Sequence, residues 1–244
     1  MIKQMREDYS TQSDLQFKII EILNERELSI FNQLNQYNGI ILTGSPLNLS
    51  ELNDPMNQKW TPFQRKKINV TEAFIRQYKK PILGICFGHQ LLAHSFEPRY
   101  IRRMEGTRFN TEANSGKPRI STIQIDSGFE LWDEGIYYVE LNHNDEVRNS
   151  NWTATGRDYD EWTRNRRIAE YTILPFKVHG LSADPSISSI QAIRHQNFPY
   201  YGVQCHPEFN FDTRTEFQHL VKQLQNSGKK LIRNFINLVI SHCQ

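Results

Sequence analysis

The sequence predicts an α/β fold, a central sheet with helices packed on its faces, in one domain spanning residues 1–244. Two observations carry this. Short apolar, β-branched runs such as PILGI at 81–85 and SSIQAI at 188–193 alternate along the chain with longer amphipathic segments, and a helix-covered sheet is the architecture that buries both kinds of apolar face. A chain of 244 residues, 38% of them hydrophobic, can fill one sizeable core, since α/β domains of roughly 200–250 residues commonly form a single unit.

The expected strands, each apolar and rich in β-branched or aromatic residues, are 17–22, 39–43, 81–85, 119–125, 136–141, 188–193 and 200–204. Between the second and third, Thr61 as N-cap, Pro62 at the first helical position and Gln64 as capping-box partner open a helix. It should turn Phe63, Val70, Phe74 and Tyr78 inward and end near Lys80, before Pro81. A second helix is expected from Asp212, with Phe217, Leu220, Val221 and Leu224 on one face. A third follows Gly228 with Leu231, Ile232, Phe235, Ile236 and Val239, glycine being a common helix stop. Residues 149–175 are polar, lack a clear period and read as an inserted loop or small lid.

Charge excludes some function classes. Lys and Arg total 29 against 27 Asp and Glu, so no long-range field gathers nucleic acid or an anionic membrane. The basic cluster Arg164, Arg166 and Arg167 lies beside Asp158, Asp160 and Glu161 and reads as a solvated surface. Met1 to Gln16 are polar, and no run approaches the roughly 18–20 apolar residues of a membrane span, which implies a cytoplasmic protein. Cys86, Cys205 and Cys243 form no disulfide framework and leave at least one thiol free to react.

The chemistry concentrates in PILGICFGHQLLAHSF at 81–96, which reads as strand, sharp turn and helix with Cys86 at the turn. Gly84 and Gly88 flank it two residues away on each side, as in a nucleophile elbow, where a strained backbone lifts the nucleophile and small neighbours allow close packing. The N-terminus of the following helix then points at Cys86 and raises its thiolate fraction. Alone, the segment equally fits a buried cysteine behaving as a small hydrophobe. YGVQCHPEF at 201–209 supplies the rest: a second apolar strand ending in His206, Pro207 and Glu208. A strand-end histidine can serve as base for a thiol on a neighbouring strand end, and a carboxylate two residues on can fix its tautomer.

GICFGHQ followed far downstream by VQCHPE resembles the class I, or triad, glutamine amidotransferases, over most of the chain from about residue 17 to the end. GIILTGSP at 39–46 is similar to that family's oxyanion strand and loop, IQAIRH at 190–195 to the strand before the triad histidine, and LNHNDEV at 141–147 to its substrate loop. The resemblance implies a flavodoxin-like fold with a mostly parallel sheet and helices on both faces. It also implies a Cys86–His206–Glu208 triad forming a γ-glutamyl thioester from glutamine, an oxyanion hole at Gly44, Ser45 and Phe87, and substrate contacts by Gln90, Asn144 and Asp145. No metal or other cofactor is expected; His89 and His94 have no ligand set at metal spacing and read as packing or capping residues.

The chain departs from the family's pattern in three places. The short first strand that members carry is missing, its place taken by a polar, helix-like stretch with Ile2, Met5 and Tyr9 at turn spacing. Ser45 stands where many members have glycine, which a backbone donor survives provided the dihedrals suit a non-glycine residue. Cys205 is a second thiol beside the base and reads as core.

The leading functional reading is a glutaminase or amidotransferase that releases ammonia for an acceptor on a partner chain, resembling the amidotransferase domain of GMP synthetase. The alternative is a γ-glutamyl peptidase or hydrolase, with Trp152, Tyr159 and Trp162 of the insertion lining a larger leaving-group pocket. A third is a non-catalytic binding module, against which the intact triad argues.

Overall fold

The computed structural model describes residues 16, 18, 23, 30–54, 56–104, 119–148, 172–182, 190–207 and 218–243. In chain order its elements are α1 (Ile30–Leu34), β1 (Ile40–Leu42), a 3₁₀ turn (Leu49–Glu51), α2 (Pro62–Gln77), β2 (Ile82–Ile85), α3 (Phe87–Phe96), a second 3₁₀ turn (Pro98–Tyr100) and β3 (Ile101–Arg103). There follow β4 (Arg119–Ile125), β5 (Gly135–Leu141), β6 (Asp145–Val147), β7 (Thr172–Ile173), β8 (Phe176–Ser182), β9 (Ile190–His195), β10 (Tyr200–Val203) and α4 (Gln218–His242). The predicted strand 17–22 apart from residue 18, the missing first strand, Glu208 and most of the 149–175 insertion lie outside the described residues.

Eight strands form one sheet in the order β1-β2-β10-β9-β8-β4-β5, with β7 paired to β8, while β3 and β6 make a separate two-stranded ladder. The expectation of a mostly parallel sheet needs correction. Among the described residues only β1–β2 and β2–β10 are parallel; β10–β9, β9–β8, β8–β4, β4–β5 and β7–β8 are antiparallel. Connection geometry explains the difference: β1 reaches β2 through α2, the crossover that parallel pairing demands, whereas the few residues between β9 and β10 permit only a hairpin.

Helices cover both faces, as expected. On one, Ile82, Ile193 and Tyr200 of the sheet pack with Ile68 and Ile75 of α2 and Leu91 and Leu92 of α3. On the other, Leu83, Ile85, Tyr201 and Val203 pack with Leu231, Ile232, Phe235 and Ile236 of α4. The alternation along β2 and β10 thus sends successive side chains into two cores, so both strands read as continuous apolar runs. Among the described residues no helix is long and apolar enough to cross a membrane.

The capping box at α2 forms as the sequence indicates: Gln64 N donates to Thr61 Oγ1 and Thr61 N to Gln64 Oε1, each at 3.1 Å. The inward face matches the expected one at Tyr78, which is buried, and otherwise differs from it. Lys67, Ile68, Thr71, Glu72 and Ile75 are buried, whereas Phe63 is 37% exposed. Phe74 is half-buried because its stripe is covered by α1, through Phe31 at 6.1 Å between ring centroids, with the Lys67 ammonium 5.7 Å from the Phe31 ring. The helix ends at Gln77, short of Lys80, with Tyr78 as its extended C-cap.

The two predicted C-terminal helices are one. α4 runs unbroken through Gly228, whose role is proximity: a Cβ there would lie 2.2 Å from the carbonyl oxygen of Pro207. The helix is clamped at the same level by Trp132, whose Nε1 donates to Ser227 O at 2.9 Å. Gly228→Ala is therefore expected to lower the melting temperature, overpacking of this kind costing about 1–3 kcal/mol. A melting curve identical to that of the parent would mean that α4 can slide away from the Pro207 turn without loss.

Candidate active site

The parallel strands β1, β2 and β10 bring their C-terminal ends together, and the site lies there. Cys86 follows β2 with φ 52° and ψ −106°, and among the described residues it is the only one other than glycine with a positive φ. Such a conformation costs of order 1–3 kcal/mol and persists only where the surroundings impose it. Here Cys86 N donates to Val203 O at 2.8 Å and Cys86 O accepts from Gln90 N at 3.0 Å, tying the residue to β10 below and to α3 above.

The flanking glycines are needed for close approach. A Cβ on Gly84 would lie 2.5 Å from Gly88 O, and one on Gly88 would lie 2.1 Å from Leu42 O. Both glycines have ordinary φ values, so it is the packing of α3 onto β1 and β2 that excludes a side chain. The sharp turn expected of PILGICFGHQ is thus built by contacts between backbones.

His206 follows β10, is buried at 8% exposure, and its main-chain N–H donates to Glu140 O at 3.1 Å. Its ring faces Gly44: a Cβ placed on Gly44 would sit 2.9 Å from His206 Cε1, 3.7 Å from Nδ1 and 3.8 Å from Cys86 Cβ. The three residues picked from separate motifs therefore meet at one point. Ser45 keeps a negative φ, so serine is tolerated there without strain, and its Oγ accepts from Leu47 N at 3.2 Å. Phe87 opens α3 and is itself buried, stacking obliquely near Trp60.

The expected substrate-loop residues occupy a different setting. What was read as a loop at 141–147 is the end of β5, a three-residue connection, and the strand β6, which pairs with β3. The Asp145 carboxylate is turned to the 3₁₀ turn, accepting from Ser50 N at 2.7 Å and Ser50 Oγ at 2.6 Å. Burial raises its pKa, and the two Ser50 bonds oppose the rise. Asn144 contributes its main-chain oxygen to Met104 N at 2.9 Å. Gln90 is buried, and its side chain donates its NH2 to Asp145 O at 2.7 Å and to Gln204 Oε1 at 3.2 Å.

Sequence reading missed Gln204, whose Nε2 donates toward Cys86 Sγ at 3.7 Å, and Asn142, whose main-chain oxygen lies 3.8 Å from the same sulfur. The signal for Gln204 was a polar residue at the core-facing end of an apolar strand. Cys205 is in the core on the α4 face, as expected.

His89 and His94 both pack. His94 pairs with Glu72, and His89 Nε2 lies 3.2 Å from Ile190 O. Burial depresses His89 to about 3, the Ile190 carbonyl opposing only part of the shift. At the far end of the sheet His195, ringed by Phe96, Phe176, Phe198 and Tyr200, is lowered by burial, and secondarily by Lys79, to about 4. Among the described residues no cluster of three His, Cys, Asp or Glu side chains forms a metal site.

These two imidazoles predict an acid-labile fold. Both stay neutral in the folded chain while the unfolded chain protonates near 6.5, so their contribution is complete above that pH. It is lost as pH falls from there, down to about 4 for His195 and about 3 for His89, because the unfolded state binds more protons. Melting temperature measured by circular dichroism should drop steadily over that window; a flat profile would show that neither histidine is held neutral.

A sequence model of the family described as glutamine amidotransferase class-I matches residues 2–223. The glutamine-hydrolyzing GMP synthase of Cytophaga hutchinsonii is 26% identical over 226 residues, covering 86% of this chain and 32% of its own length, so the chain spans about a third of that relative. One subunit of the glutamine-hydrolyzing GMP synthase of Thermoplasma volcanium is 22% identical over 207 residues, covering 84% of this chain and 80% of the relative. Among solved structures, a GMP synthase subunit from Thermoplasma acidophilum superposes with a TM-score of 0.60 at 20% identity, over 98% of this chain and 89% of that one. The shared architecture is the flavodoxin-like α/β fold.

Proposed function

Since the chain belongs to the class I glutamine amidotransferases, we propose that it hydrolyses the γ-carboxamide of glutamine at Cys86 and releases ammonia for an acceptor on a partner chain. The observation that carries this reading is the meeting of the Cys86 elbow, the His206 ring and Gly44 at the ends of three parallel strands.

In the proposed reaction the Cys86 thiolate attacks the amide carbon, forming a C–S bond as the carbonyl oxygen takes negative charge. The N–H groups of Phe87 and of the Gly44–Ser45 turn hold that oxyanion. Collapse breaks the C–N bond, and His206 as an imidazolium gives its proton to the departing ammonia. His206 then removes a proton from water, which attacks the thioester and frees glutamate and the thiolate. Glu208 fixes the imidazole tautomer. Gln90, through its Oε1, and Asn144 are the candidates to contact the amino-acid end of glutamine, with Asp145 acting from behind through Ser50 and Gln90.

Relatives of nearly the same extent carry the names of single subunits of GMP synthase, which supports an acceptor site on a separate chain. Incubating the purified protein with glutamine and, separately, with γ-glutamyl dipeptides, and following ammonia and free amine, tests the reading. Cys86-dependent ammonia release is expected. Faster cleavage of the dipeptides would transfer the assignment to a γ-glutamyl hydrolase, and no Cys86-dependent reaction with either would favour a binding module.

A further inference from the structure

Gln204 is buried at 0% exposure in the turn that leads from β10 to His206, and its main-chain N–H is anchored to Gln191 O at 2.9 Å. Its side-chain amide bridges two neighbours, with Nε2 toward Cys86 Sγ at 3.7 Å and Oε1 accepting from Gln90 Nε2 at 3.2 Å. The Gln90 NH2 also donates to the main-chain oxygen of Asp145 at 2.7 Å.

The order of these groups fixes their polarity. A main-chain carbonyl can only accept, so Gln90 must present its NH2 to Asp145. The second N–H of the same group faces Gln204, which must answer with its oxygen. Its NH2 is left to face the sulfur. Turning Gln90 over would set its oxygen against the Asp145 and Gln204 oxygens, and turning Gln204 over would set NH2 against NH2 and its oxygen against the sulfur; either leaves buried polar groups without partners, an arrangement that burial disfavours strongly.

We propose that Gln204 is a further catalytic residue that holds Cys86 as the thiolate, with Gln90 its positioning residue and the Asp145 carbonyl the source of its orientation. The inference rests on Cys86 being the nucleophile. Two contacts to Sγ pull in opposite directions. The Asn142 oxygen, 3.8 Å away, accepts from S–H and favours the thiol, whereas an N–H aimed at sulfur strengthens when the sulfur becomes an anion. No bond is made or broken by Gln204. It shifts the proton from Sγ to a base, His206 or solvent.

The test is the pH dependence of Cys86 alkylation by iodoacetamide, mapped to Cys86 by peptide mass spectrometry, in the parent chain and in Gln204→Met, Gln204→Glu and Gln90→Met. For Gln204→Met the rate near neutral pH should fall about tenfold and the profile should move up by about one pH unit, the change expected on losing one charge-assisted hydrogen bond. Gln204→Glu, equal in shape, should fall further, since it sets a carboxylate against the sulfur; it decides the matter if Gln204→Met does not melt cooperatively. Gln90→Met should move the profile the same way by less, because Gln204 is then free to turn. Profiles of both Gln204 variants superimposing on the parent would overturn the proposal. A parent chain not alkylated at Cys86 at any pH would instead overturn the nucleophile assignment, so the two failures are distinguishable.

Discussion

Cys86→Ala is expected to abolish glutamine hydrolysis, with kcat reduced by roughly 10⁴- to 10⁶-fold, the range seen when a nucleophile that works as one unit with its base is removed. The fold should survive. Alanine keeps the Cβ and the same positive-φ turn, and the two interactions that Sγ makes with Gln204 and Asn142, at 3.7 and 3.8 Å, are long ones. The comparison to make is ammonia release per folded molecule, with the melting curve run on the same preparation. Ammonia release within tenfold of the parent would remove Cys86 from the mechanism, and with it the role of His206.

The second large effect is expected at a residue with no side chain. Gly44→Ala would place a Cβ 2.9 Å from His206 Cε1 and 3.8 Å from Cys86 Cβ, closer to the ring than packed carbons stand, so the imidazole must move. Displacing a reacting group by about 1 Å costs on the order of 10²-fold in rate, and a comparable fall in kcat is predicted. Stability should change little, because Gly44 is exposed and its φ is ordinary. A steady-state comparison separates the two: a drop in kcat with an unshifted melting temperature supports the crowding argument. An unchanged kcat would mean that the imidazole has room to turn aside and still work.

Gly44, Cys86 and His206 were legible because each stands in a short segment whose backbone behaviour is local. A strand end followed by Gly-x-Cys-x-Gly can hardly do anything but turn sharply, and a strand ending in His-Pro presents its histidine at the same edge of the sheet. Residues whose surroundings come from distant segments were not. Asp145 reads as a substrate ligand, yet its carboxylate is taken by Ser50, some 95 residues away, and nothing local to either residue announces that bond. Gln204 sits among apolar neighbours, and its partners Cys86 and Gln90 stand more than a hundred residues away in sequence.

The same division runs through the fold. Strand β8 escaped the sequence reading because irregularities between Val178, Gly180 and Leu181 in its pairing with β9 break the period of two on which recognition depends. Gly228 looked like a helix stop because glycine costs a helix entropy; in the folded chain that cost is outweighed by the approach of α4 to Pro207.

By itself the sequence determined the α/β class, the apolar strands β2 and β10, the capping of α2 and the elbow that raises Cys86, since all of these follow from the period of apolar residues and the dihedral range of single residues. Only the tertiary structure decided that most of the sheet is antiparallel, that α4 is continuous, that the Asp145 carboxylate is bound by Ser50 and that Gln204 lies against the sulfur. Side-chain period carries no record of strand direction, and a hydrogen bond between residues far apart in the chain exists only once the sheet has brought them together.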